Sequence, residues 1–415
     1  MFANCVLDAR GGGCHPAAAG NGNTSEEPQD ALSSVASIGT NQYFPSYLQS
    51  ASLPGIIHEA LRGSLFPAAD TYEVTFKFDF SDAPAEGDAW DHVWGGPVDS
   101  IYIFQELENE EAATKTKEAK YPWRSLMAGV WHLLCQNLNV KTLVIEDLLP
   151  KPTSPFFSQQ WFDFLARLEK LEISVWAEDN GAGWMSNTQE GYDDFITRLG
   201  QWFFQHATHA QSLVLEAHPD CPFGYFAGRP DISLPLESGQ LPELRYLELR
   251  NLYISPDLAG FVCQENSKLA RLVLRNCHAN TGEYNGPYRW THFFNDLTAN
   301  DKNPLSSCVV QYDKLVSMRK PEPIVAQVNN WESRRRMTEL EVWYQVPGAT
   351  MFDYGCCSDK YGGFDQDFDG NYDCFTEGRD LAAFQSLAAR IQLNTGSSEG
   401  TNIGASYVVL SDELY

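Results

Sequence analysis

Leu244-Arg-Tyr-Leu247-Glu-Leu249-Arg250-Asn251 and Leu269-Ala-Arg-Leu272-Val-Leu274-Arg275-Asn276-Cys277 both read LxxLxLRN, and their starts lie 25 residues apart. In each, the second and third leucines are two apart. That is the spacing that puts side chains on one face of a strand. A unit this short cannot bury its own apolar face, so two similar units close in sequence imply that neighbours stack and share a core.

The second copy runs on to LxxLxLxxC, which is the strand pattern of a leucine-rich repeat, and the spacing falls within the roughly 20–29 residues of that repeat. Weaker copies read Val98-x-x-Ile101-x-Ile103, Val140-x-x-Leu143-x-Ile145, Leu168-x-x-Leu171-x-Ile173, Ala210-x-x-Leu213-x-Leu215 and Met337-x-x-Leu340-x-Val342. Helical spacing appears between them. It is carried by Trp123, Leu126, Met127, Val130, Leu133 and Leu134, by Trp161, Phe162, Leu165 and Leu168 after Ser154-Pro155, and by Phe195, Leu199, Trp202 and Phe203. Ser255-Pro256-Asp257 is a helix start, with a capping hydroxyl, a proline suited to the first turn and an acid at the positive end of the dipole. Alternating strands and helices predict an α/β protein, an irregular leucine-rich-repeat-like solenoid with long insertions; an ordinary α/β sheet with leucine-rich strands is the competing arrangement.

Outward from this body, Tyr72, Val74, Phe76, Phe78 and Phe80 alternate with polar residues and predict a strand. Residues 106–120 read as a charged loop or exposed helix. The organisation expected is a disordered tail over 1–42, a repeat-like domain over 43–350, an acidic Gly/Cys loop over 351–378, and a C-terminal helix (Asp380 to Ile391) with a tail over 379–415.

The formal net charge is −26, which repels phosphate backbones and anionic lipid, so neither nucleic acid nor membrane is expected as a partner. The run Arg334, Arg335, Arg336 is expected to be salt-bridged surface. No stretch reaches the length of a membrane helix, and Met1 to Arg10 does not have the order of a signal peptide. Ten cysteines without a CxxC pair read as reduced, buried thiols of the cytoplasm or nucleus.

Asp365-Gln-Asp367-Phe-Asp369-Gly370-Asn371 places carboxylates at alternate positions before a glycine, as a calcium loop does. Asp365, Asp367, Asp369, Asn371 and Asp373 are the candidate ligands. An EF-hand loop would end on a bidentate Glu where Thr376 stands, with Glu377 one residue late, so an acidic solvated loop is the competing reading. His206, His209 and His218 lie near Asp220 and Cys221, but no nucleophile elbow, HExxH or phosphate loop accompanies them. No catalytic set and no cofactor are expected; an α/β enzyme whose site is assembled in space stays open as an alternative. If the strands stack, Tyr246, Glu248 and Arg250 of one unit and Arg271, Val273 and Arg275 of the next point away from the core. Arg250 and Arg275 then form a small basic strip, unless carboxylates such as Glu248 pair with them. Arg and Tyr are frequent binding anchors; Trp176, Trp184 and Trp343 are further candidates.

The phrases Leu241–Leu252 and Ser267–Cys277, with Ile254-Ser-Pro-Asp-Leu between them, resemble the degenerate leucine-rich repeats of fungal F-box proteins. Trp123–Leu134, Phe157–Leu168 and the turn Asp179–Trp184 extend the resemblance over roughly residues 70–380. It implies a repeat domain that presents a substrate protein, with an N-terminal F-box docking the Skp adaptor of a cullin ubiquitin ligase. The chain departs from that family at the F-box. Leu53-Pro54 is the one Leu-Pro near the start, and the space before the strand at Tyr72 is short of the roughly 40 residues the module takes. The expectation is therefore a recognition module with the F-box lost, truncated or cryptic near residues 43–66; in the last case the adaptor is a partner. Leu53–Phe66 can equally be one helix of the repeat body.

Overall fold

The computed structural model describes residues 2–10, 52–79, 111–177, 184–224, 234–280, 288–313, 331–344, 350–357, 361–395 and 405–409. The chain divides into two compact units, Met1–Trp176 and Ala177–Tyr415, so the boundary falls inside the stretch read as one repeat domain.

In the first unit β1 (Phe2–Arg10) pairs antiparallel with β2 (Thr71–Asp79). Part of the expected N-terminal tail is thus a strand; residues 11–42 lie outside the described residues. Helix α1 (Gly55–Leu61) buries Ala60 and Leu61. The charged stretch before Lys120 forms α2 (Glu111–Lys120), which buries Thr114 and Glu118; Glu118 accepts from the Ser154 amide at 2.6 Å. Helix α3 (Pro122–Cys135) follows and packs against α1. Next come β3 (Thr142–Leu148), α4 (Gln159–Leu165) and β4 (Lys170–Val175). Ser154-Pro155 opens only a 3-10 turn; the α-helix starts one turn later, where Ser158 caps it by accepting from the Trp161 amide at 3.2 Å. Strands β2, β3 and β4 are parallel neighbours, and the register aligns Tyr72, Leu143 and Leu171 in one buried row and Val74, Ile145 and Ile173 in the next. The strand expected at Val98–Phe104 lies outside the described residues.

In the second unit α5 (Glu190–Leu199) continues into a π-helical turn, Gly200–Phe204, which buries Trp202, Phe203 and Phe204 in succession. Then come β5 (Ser212–Glu216), β6 (Tyr246–Arg250), α6 (Pro256–Val262), β7 (Arg271–Arg275), α7 (Trp290–Ala299) and β8 (Ser307–Tyr312). Ser255 caps α6 as its sequence predicts, accepting from the Leu258 amide at 3.2 Å. Strands β5 to β8 are parallel and adjacent in chain order. Leu213, Leu247, Leu272 and Cys308 form one row; Leu215, Leu249, Leu274 and Val310 form the second, and all eight are fully buried. The unit at β8 reads Leu305-x-x-Cys308-x-Val310, a copy that sequence reading passes over.

The expected strand at Met337–Val342 is instead part of helix α8 (Trp331–Tyr344). The expected loop over 351–378 holds a hairpin, β9 (Gly355–Cys357) with β10 (Phe364–Gln366), and helix α9 (Phe368–Glu377). Helix α10 (Arg379–Thr395) is longer than expected, and beyond it β11 (Ala405–Val409) adds to β8 in parallel. Among the described residues no helix is long and apolar enough to cross a membrane.

Three residues at the same repeat position take left-handed backbone angles: Asp147 (φ 53°), Asn251 (φ 56°) and Asn276 (φ 50°). Each stands five residues after the first residue of its strand. Asp and Asn tolerate this region better than other non-glycine residues. The bend is tied to the neighbouring chain segment: the Asn251 amide donates to the Arg275 carbonyl at 3.0 Å, its side chain to the Ala217 carbonyl at 2.8 Å, and the Asn276 amide to the Gln311 carbonyl at 2.8 Å. Past the bend a second set of bridges forms, Phe223 with Leu252, Tyr253 with His278 and Ala279 with Tyr354.

Candidate functional site

The remaining alternate positions of β5 to β8 share the face opposite the leucine rows. The register builds three rows across it: Ser212, Tyr246, Arg271 and Ser307; Val214, Glu248, Val273 and Val309; and Glu216, Arg250, Arg275 and Gln311. All six residues expected to form the site are therefore brought together.

They are not equally accessible. Arg271 is exposed, while Tyr246, Arg250 and Arg275 are half-buried. Glu248 and Val273 are buried, so a partner cannot reach them without rearrangement, and their expected role as direct contacts is corrected to one of support. Tyr246 and Arg250 both reach Glu248: the Tyr246 hydroxyl donates to its Oε2, and Arg250 Nε to its Oε1 at 2.7 Å. Arg250 Nη1 also bonds Glu216 Oε2 at 2.9 Å. Arg275 binds Asp313, with Nη2 to Oδ1 at 2.7 Å and Nε to Oδ1 at 2.8 Å, and Asn276 Nδ2 bonds the same carboxylate at 2.9 Å. The expected basic strip is thus compensated, Arg250 by Glu216 and Glu248 and Arg275 by Asp313. Arg271 lies over the Tyr246 ring, 5.6 Å from its centroid, and among the described residues no carboxylate pairs with it.

The electrostatics follow this wiring. Burial works against the Glu248 carboxylate, but the bonds from Tyr246 and Arg250 outweigh it and hold its pKa below the ordinary value. Burial, helped by the bond to Glu248, pushes the Tyr246 hydroxyl up to about 12. Burial also opposes the Arg250 charge, and Glu248 and Glu216 reverse that, so its guanidinium is held charged more firmly than usual.

Sequence reading missed Glu216 and Asp313. Glu216 was within reach, because it stands in the copy Ala210-x-x-Leu213-x-Leu215 where Arg250 and Arg275 stand in theirs. Asp313 follows the strand whose leucine is replaced by Cys308.

The calcium candidates do not converge. Asp365 sits in β10, and Asp367 caps α9, accepting from the Gly370 amide at 2.8 Å. Asp369 and Asp373 approach Arg336 Nη1 at 3.2 and 3.3 Å. Asn371 is buried, and its Oδ1 accepts from the Tyr354 amide at 2.9 Å. The alternating acids belong to a strand end and a helix start rather than to one continuous loop. Among the described residues no group of three or more His, Cys, Asp or Glu is placed to hold a metal. The Arg334–Arg336 run is salt-bridged as expected in part, Arg335 to Glu339 at 2.9 Å and Arg336 to Glu332 at 3.6 Å.

His218 faces Asp220 at 3.9 Å, while burial pushes the Cys221 thiol up to about 12, far from nucleophilic use near neutrality. Trp343 stacks on Tyr372 and Phe375 within the fold, and Trp184 packs edge-on against Tyr361 with 39% of its surface exposed. No protein-family model, curated protein or solved structure matches the chain.

Proposed function

We propose that the chain is a protein-recognition module, a leucine-rich-repeat-like body whose strand face over β6 and β7 engages a partner protein, as the resemblance to F-box substrate receptors implies. The observation that carries the reading is the row register itself. Consecutive repeat units present Tyr246 beside Arg271 and Arg250 beside Arg275, positioned by a rigid ladder of leucines and held by carboxylates underneath. Binding surfaces gain from side chains fixed before contact, since less freedom is then lost on association. Arg271 is the residue best placed to touch first, because it is exposed and, among the described residues, its guanidinium is engaged by an aromatic ring and by no carboxylate.

On this reading residues 43–66 are not a docking element for the Skp adaptor. The one helix described near Leu53-Pro54 is α1, which is seven residues long, buries Ala60 and Leu61 and packs on α3. The fungal-type Skp adaptor should not be retained on the purified full chain in a pull-down. Retention abolished by Ile57→Asp, a change on α1, would instead mark residues 43–66 as an adaptor-binding element and make the chain a ligase receptor as it stands.

A further inference from the structure

Residues 351–355 pass between the turn that follows β7 and the helices α7, α9 and α10. The backbone of this segment is bonded on both sides. The Asp353 amide donates to the Tyr312 hydroxyl at 3.1 Å, and its carbonyl accepts from Trp290 Nε1 and from the Ala279 amide, both at 2.9 Å. The Tyr354 amide donates to Asn371 Oδ1 at 2.9 Å, its carbonyl accepts from the Asp367 amide at 3.0 Å, and its hydroxyl donates to Asp380 Oδ2 at 2.7 Å. The Gly355 amide donates to the Ala279 carbonyl at 3.1 Å. One short segment therefore joins the repeat turn to the starts of three helices.

Within this bonded segment the Asp353 carboxyl is the exception. It is 1% exposed, and among the described residues neither of its oxygens has a hydrogen-bond partner. A buried carboxylate ion without donors is strongly disfavoured, so the seated segment carries the neutral acid. Titratable groups on the surrounding elements do not relieve it. His278, on the turn after β7, is kept neutral by burial, its pKa pushed down to about 3. The Tyr312 hydroxyl of β8 is donated to the Cys277 carbonyl. Tyr354 beside it and Cys374 on α9 are both pushed up, first by burial. Asp380 on α10 accepts from Tyr354 and Thr291, and Arg289 before α7 pairs with Glu377. Burial alone raises the Asp353 acid, from the ordinary 3.8 to about 7.

We infer that residues 351–355 form a proton-linked latch: the segment seats with Asp353 protonated, and loss of that proton favours release of α9 and α10 from the repeat turn. The sign follows from the two states. Below the ordinary carboxyl value both seated and open forms hold the proton, and the latch is firmest. Between that value and about 7 only the open form gives the proton up, so opening grows about tenfold per pH unit. Above about 7 both forms are ionised and the effect levels off.

Hydrogen exchange of the full chain, followed on peptides covering 351–357, tests this with wild type and Asp353→Asn at pH 5, 6, 7 and 8. The ratio of wild-type to variant opening should rise about fiftyfold from pH 5 to 7 and by no more than about twofold further to pH 8. A ratio constant across the series would overturn the latch. If the variant does not fold, wild type alone decides: opening of 351–357 referenced to the β6 amides of the same molecule must follow the same curve, and a parallel pH response of the two regions would overturn the inference.

Discussion

Asp380→Ala is expected to lower the stability of the second unit by about 3–5 kcal/mol, because it strips three donors of one buried acceptor at a helix N-terminus. Asp380 is buried, and its Oδ1 accepts from the Thr291 amide at 2.9 Å and from the Thr291 hydroxyl, while Oδ2 accepts from Tyr354. Thr291 lies in the first turn of α7, whose amides have no intrahelical partner, so the carboxylate of one helix closes the end of another. Asp380→Asn keeps an acceptor and loses the charge; its cost should be about 1–2 kcal/mol, on the scale of a helix-dipole interaction plus one weakened bond. Chemical denaturation midpoints of the two variants measure the difference. Equal costs would mean that charge at the α7 terminus contributes nothing.

Leu249→Ala should be as damaging, at about 3–5 kcal/mol, the range of a leucine removed from a well-packed interior. Leu249 is fully buried, lies in register between Leu215 and Leu274, and its carbonyl accepts from the Cys277 thiol at 3.3 Å. Stacked neighbours on both sides leave little room to collapse into the cavity. Leu138→Ala, at a residue 71% exposed, is the matched comparison and should change stability by less than about 0.5 kcal/mol. A Leu249 effect below about 1 kcal/mol would mean that the row is loosely packed and that the repeat units do not support one another.

Much of this architecture is legible in the sequence, because in β6 and β7 the leucine spacing, the Arg-Asn ending and the 25-residue repeat all agree. What was missed has identifiable causes. At β8 a cysteine stands in the leucine row, and Cys308 is as fully buried as Leu272 beside it, so the pattern weakens on paper without weakening in space. At Met337–Val342 the first two apolar residues are three apart, the spacing of one helix face, and only Leu340 and Val342 keep the period of a strand. Four-residue spacings of Glu332 with Arg336 and of Arg335 with Glu339 were the arbitrating signal for helix. Asp367 and Asp369 satisfy two grammars at once, that of a calcium loop and that of a capped helix with an acidic first turn. The glycine that decides for the helix is Gly378, which ends α9 in the left-handed conformation at φ 65°.

For the candidate site, the sequence placed the six residues on one face but not their mutual bonds. Pairing of Arg275 with Asp313 depends on a strand the pattern did not reveal. Burial of Glu248 follows from where Tyr246 and Arg250 turn, which alternation along one strand cannot specify.

The claim at the centre is that the strand face beside Arg271 is where a partner docks. The direct measurement is site-specific photo-crosslinking in extract of the cells that make the chain, with the probe at Ser307, next to Arg271 in the first row, or at Leu138, an exposed residue of the first unit. The account predicts a discrete protein adduct from Ser307 that is absent from Leu138 and falls at least about tenfold when Tyr246 and Arg271 are both changed to alanine, as loss of two binding anchors implies. Indistinguishable labelling from the two positions, or an adduct indifferent to those two changes, would contradict it.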